Sequence, residues 1–140
     1  MNLAYSRALF PPIPVLRLQF GSSIGGERTE WLDALVDTAA DGTLVPLRYL
    51  LSLDVRAATT GWVRGVTGER RPIAFYYVDV NVGDFTLPGI RVAGDKAASE
   101  ILVGRDILNK LPLFLDGPQQ QSEVLDDATV RRLRARGQDA

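Results

Sequence analysis

The sequence predicts an all-β domain of short strands, with one short helix after Gly104 and a C-terminal helix. Three observations carry that expectation. Apolar and polar residues alternate in short runs of strand length. Glycine and proline punctuate the chain between those runs. Only the last stretch offers a longer helical pattern, and no repeat of solenoid period is present.

Pro14 to Phe20, "PVLRLQF", alternates and reads as a strand. "GSSIGGERT" is a turn region, and "TEWLDALV" resumes as a second strand, so the two form a hairpin that delivers Asp37 at its end. "PLRYLLSL" after Pro46 fits a short helix or a strand equally well. Two strand-like runs then surround a glycine-punctuated centre, Gly65-Val66-Thr67-Gly68, and the second, "AFYYVDVNV", is rich in aromatic and β-branched residues. "DFTLPGIRVAG" follows the turn at Val82-Gly83-Asp84 as a further strand. The trio Ile101-Leu102-Val103 leads through Gly104 into "RDILNKL", where Asp106 to Leu111 suits a short helix, and "LPLFLDG" returns as a strand. Ser122 to Arg136 reads as the longer helix, which divides the chain into a domain at 1–121 and a helical extension at 122–140. In that tail Arg131, Arg132, Arg134 and Arg136 follow Glu123, Asp126 and Asp127 at helical spacing. A solvated helix with internal ion pairs accounts for the pattern better than a nucleic-acid patch does.

A chain of 140 residues with 46% hydrophobic and 24% charged residues has the makings of one domain with one core. A net charge of −1 supplies no global field to recruit nucleic acid or an anionic membrane. There is no cysteine and no histidine. Disulfides, thiolate nucleophiles, cysteine–histidine zinc sites and histidine-dependent triads are therefore excluded. Chemistry here must rest on carboxylates, hydroxyls, lysine, arginine, tyrosine or backbone groups. No apolar segment reaches the ~18–20 residues of a membrane span. The start, broken by Pro11, Pro12 and Pro14, reads poorly as a signal peptide, and a cytoplasmic location is expected.

The stretch that asks for chemistry is "ALVDTAADGTLVP", Ala34 to Pro46. An apolar trio runs straight into Asp37 and Thr38, and a second apolar run follows. An aspartate at a strand end commonly caps a turn through backbone N–H groups, and an isolated Asp-Thr pair carries no more than that. Two further segments follow in order: "RGVTG" about thirty residues on, and "ILVGRDIL", in which an apolar trio again ends in a turn.

The ordered set resembles the retropepsin-like aspartic proteases over roughly residues 14–118. "VDTAAD" resembles their Asp-Thr-Gly-Ala-Asp active-site loop, "RGVTG" lies where they place a flap hairpin, "ILVGRDIL" resembles the segment opening their helix, and "LPLFLDGP" is similar to the closing strand of bacterial members. The resemblance implies a retropepsin-like acid-protease barrel working as a homodimer on a peptide or protein substrate. It implies no metal or organic cofactor and no nucleic-acid or membrane partner. Each copy would supply one Asp37. Two carboxylates a few ångströms apart cannot both ionise, so they share one proton; one activates water while the other donates to the scissile carbonyl, the aspartic proteases being the standard case of this. A single Asp-Thr loop per chain makes a twofold dimer obligatory for that chemistry.

By the same resemblance Asp37, Thr38 and Ala39 form the catalytic loop, with Thr38 bonding across the dimer axis. Asp41 pairs with Arg105 beside Gly104 to support the loop, and Gly65, Val66, Thr67 and Gly68 form a flap over substrate, with Trp62 and Val66 at the cleft. Ala39 stands where the family has glycine. That departure sets a rival expectation: a catalytically silent domain of the same fold that binds peptide or mediates dimerisation. An unrelated β-barrel binding module is the third alternative.

Overall fold

The computed structural model describes residues 2–64 and 67–138. In chain order the elements are β1 (Asn2–Ala4), β2 (Val15–Gly21), β3 (Leu32–Val36), β4 (Leu44–Pro46), α1 (Leu47–Leu51), β5 (Ala57–Arg64) and β6 (Arg70–Val82). They are followed by β7 (Phe85–Asp95), β8 (Ile101–Val103), α2 (Arg105–Leu108), β9 (Leu113–Asp116), β10 (Gln121–Val124) and α3 (Asp127–Gln138).

Alternation in β2 sends Leu16, Leu18 and Phe20 fully inside while Arg17 faces solvent. β2 pairs antiparallel with β3, as the hairpin reading expects, and Arg17 meets Asp33 across the ladder at 2.9 Å. The long β6 has work for both ends. Its first half pairs with β5, and its last residues, Asp79 to Asn81, pair with Gly21 to Gln19 of β2. That second pairing closes the order β2-β3-β8-β4-β7-β6 into a six-stranded barrel, with β5 attached outside it. Val45, Val78, Val80, Val92 and Val103 fill its interior with Leu16, Leu18 and Phe20, while Leu50 of α1, Leu53 in the turn after it and Ile107 of α2 seal it from outside. The stretch after Pro46, equally readable as helix or strand, is α1.

The apolar trios Ala34-Leu35-Val36 and Ile101-Leu102-Val103 lie side by side. They pair in parallel, residue for residue, as β3 and β8. What looks in sequence like a loose echo is in space the pair of strands from whose ends the candidate site hangs.

The chain ends depart from expectation. The helix expected from Ser122 begins at Asp127, and Gln121–Val124 is a strand instead. β10 sits at the centre of a second sheet, ordered β1-β10-β9. A backbone paired on both sides has its N–H and C=O groups satisfied without apolar alternation, and here only Ser122 is buried. Glu123 therefore lies outside the helix. The ion pairs expected within α3 are absent among the described residues: Arg131 donates to the Asp127 backbone carbonyl at 3.4 Å, and the Asp126 carboxylate caps Thr129 N–H at 2.7 Å. That cap, first through the backbone and then through the side chain of Thr129, holds the Asp126 carboxyl below its ordinary value.

Candidate active site

Asp37 follows β3 directly. Its N–H donates to the carbonyl of Val103 at 3.0 Å, extending the parallel ladder by one bond before the chain turns away. Its carboxylate Oδ1 accepts the Ala39 N–H at 3.1 Å, and its carbonyl accepts the Ala40 N–H at 3.2 Å, so the loop is a compact turn wrapped on the aspartate itself. Asp37 is half-buried, while Thr38 and Ala39 are exposed. A carboxylate with one oxygen tied to its own loop is positioned and still accessible.

Turning the chain inside this loop leaves carbonyls in need of donors. Arg105, at the first residue of α2, supplies them: one guanidinium nitrogen donates to the carbonyls of Thr38 at 2.9 Å and Ala39 at 2.8 Å, and its backbone N–H donates to Ala40 at 2.9 Å. The expected Asp41–Arg105 ion pair is not formed. Asp41 is exposed, where water solvates its charge, and the guanidinium instead donates to the backbone carbonyls of Thr38 and Ala39. Arg105 does tie helix to loop, by a different bond.

The carboxylate that anchors this region is Asp106, with Thr43, neither of which is among the site residues expected from the sequence. Thr43 is buried, with 1% of its surface exposed, so every polar atom it carries needs a partner. Its N–H and hydroxyl donate to the two Asp106 carboxylate oxygens at 3.2 and 2.7 Å, its hydroxyl accepts Gly104 N–H at 3.1 Å, and its carbonyl accepts Ala93 N–H at 2.9 Å. Hydrogen bonds to charged groups contribute about 1.5–3 kcal/mol each, so this junction of β4, β7 and α2 fixes the far end of the loop. The signal available in sequence was the acid next to Arg105, which competes with Asp41 for the same role.

Gly104 is required by close approach. A methyl group there would lie 2.3 Å from the Gly42 carbonyl oxygen and 2.6 Å from its carbon. Ala39, by contrast, does not adopt a left-handed backbone: the non-glycine residues that do, among those described, are Asp54 and Gln120. Alanine therefore puts no angular strain into the loop, and what its methyl group changes is space on an exposed surface.

In the hairpin of β5 and β6, Gly65 and Val66 lie outside the described residues. Thr67 is exposed and its hydroxyl bonds Glu69, and Gly68 supplies the left-handed turn at a φ of 87°. Trp62 is 60% exposed, with the Arg70 guanidinium 5.3 Å from its ring centroid, so it stands on the hairpin surface rather than in the core. Among the described residues no group of three or more acidic side chains is placed to hold a metal ion, and no helix is long and apolar enough to cross a membrane.

The closed six-stranded barrel with a few short helices has the all-β fold of the retropepsin-like aspartic proteases. Solved structures that share it include two of similar size. EIAV protease complexed with the inhibitor HBY-793 is similar over 72% of this chain and 89% of that one, at 18% identity and a TM-score of 0.55. A retropepsin-like aspartic protease from Rickettsia conorii is similar over 87% of this chain and 86% of that one, at 13% identity and a TM-score of 0.56. No protein-family model and no curated protein matches the chain.

Proposed function

We propose that this chain is an aspartic endopeptidase that acts as a homodimer, with Asp37 from each copy activating the water that attacks a peptide bond. The observation that carries this reading is the setting of Asp37: an accessible carboxylate at the end of a barrel strand, in a loop clamped by Arg105 and by the Thr43–Asp106 junction. A loop that only capped a turn would not need two separate anchors. Thr38 braces the two loops across the axis, and the β5–β6 hairpin covers the substrate. The catalytic unit runs from β1 to β10, with α3 outside it. Cleavage of a mixed peptide pool by the concentrated protein at acid and neutral pH, blocked by an aspartic-protease inhibitor, is the expected result. Failure to cleave under any of these conditions would count against it.

The exposed methyl group of Ala39 favours a second reading, a silent domain that binds peptide without cutting it. Ala39→Gly separates the two. Because Ala39 has no unusual φ, glycine gains nothing geometrically and costs stability by up to about 1 kcal/mol. If the methyl group only crowds the substrate, that variant raises kcat/KM several-fold in a peptide assay. If the domain is silent for another reason, the variant stays inactive and is merely less stable.

A further inference from the structure

A cleft of about 680 Å3 opens between the β1-β10-β9 sheet and the barrel, and no residue of the Asp37 loop lines it. That volume is typical of specific binding sites. Its walls are apolar, with Leu3 of β1, Trp31, Phe85 after the β6–β7 turn, Val124 at the end of β10 and Leu125 just beyond it. Trp31 keeps 47% of its surface exposed. The rim is acidic: Asp84, Glu123, Asp126 and Asp127 contribute to it, and among the described residues none of the four forms a salt bridge, although Arg132 of the same chain lies near enough to Asp126 to favour its charge. Arg17, the cation in the lining, is already held by Asp33 at 2.9 Å. The cleft therefore suits an occupant that is apolar along one side and basic along the other.

α3 has that character. Val130 and Leu133 lie one turn apart on one face, and Arg131, Arg132, Arg134 and Arg136 surround them. Every residue from Arg131 to Gly137 is exposed, Leu133 by 48%. In its own chain α3 contributes only Asp127 to the cleft lining. Asp127, its first residue, is part of the rim, and a helix rising ~1.5 Å per residue carries Leu133 about 9 Å along a stiff axis from that point.

We infer that α3 of a second copy of this chain docks in the cleft. Val130 and Leu133 enter beside Trp31, and the arginines face the rim carboxylates. A twofold axis makes the exchange reciprocal, so each contact is made twice. The inference rests on the homodimer reading for its partner, and assigns a second surface, apart from the Asp37 loops, that holds the two copies together.

The test uses the full chain in an Asp37→Asn background, so that its outcome does not depend on cleavage. Sedimentation equilibrium is read for a cleft variant (Asp84→Lys with Glu123→Lys), a helix variant (Arg131→Glu with Arg134→Glu), and the two combined. Each charge reversal alone is expected to raise the dimer dissociation constant at least about tenfold, and their combination to recover most of that loss. Circular dichroism establishes that each variant is folded. A second measurement does not require the variants: a synthetic peptide of residues 126–138 added to the Trp62→Phe protein changes Trp31 fluorescence and loses affinity in high salt. Dissociation constants unmoved by either reversal, or no recovery in the combination, overturn the inference. An unrelated basic peptide that perturbs Trp31 as strongly as the α3 peptide also overturns it, by showing a cleft for foreign basic segments.

Discussion

Asp37→Asn is expected to abolish peptide cleavage, lowering kcat/KM by at least about a thousandfold, with fold and dimer unchanged. Asparagine has nearly the same shape, and its side-chain oxygen can still accept the Ala39 N–H that now goes to Oδ1. The loop's other anchors, through Arg105 and through Thr43 with Asp106, do not involve the Asp37 carboxylate. What the amide cannot do is take a proton from water or share one with a second carboxylate. In a chain without histidine or cysteine, no neighbouring general base of either type can substitute. Thermal unfolding and sedimentation, run beside the peptide assay, show whether activity alone is lost. A variant that cleaves as well as the unaltered protein would rule the assignment out.

Gly104→Ala is expected to have the largest effect on stability. Its methyl group would sit 2.3 Å from the Gly42 carbonyl oxygen and 3.0 Å from that of Ala40, both rigid backbone rather than the tip of a side chain that could swing aside. Relief requires moving either the active-site loop or the start of α2. Moving either strains the Arg105 N–H bond to Ala40 and the Gly104 N–H bond to the Thr43 hydroxyl. Overpacking of this kind costs about 3 kcal/mol, which lowers Tm by roughly 10 °C in a domain of this size. Activity should fall further than stability alone accounts for, because the displaced backbone is the one that presents Asp37. Differential scanning calorimetry with a parallel assay reads both, and a Tm unchanged by this substitution would mean that loop and helix are not packed as described.

The strands that position the site could be read from the sequence because they carry their own signal. Leu16, Leu18 and Phe20 alternate with polar residues, and the trio before Asp37 ends abruptly in an acid. The parallel pairing of β3 with β8 was visible only as two similar apolar trios, since pairing across more than sixty residues leaves no local mark. β10 was invisible for a different reason. "QSEV" has no apolar face, and it becomes a strand because β1 and β9 supply partners on both sides. The error over Asp41 is similarly physical. The resemblance implies an arginine beside the loop, but not that backbone carbonyls of Thr38 and Ala39 would be its acceptors while Asp106 turned instead to Thr43.

The most direct test of a site built from two copies of Asp37 is subunit mixing. Unaltered and Asp37→Asn chains are combined at fixed total concentration, allowed to exchange, and assayed for peptide cleavage as their ratio is varied. If each active site needs a carboxylate from both chains, activity follows the square of the unaltered fraction and an equal mixture retains about one quarter of full activity. Activity linear in that fraction, with about half retained at equal mixing, would mean that each chain works alone and would contradict the paired-aspartate site.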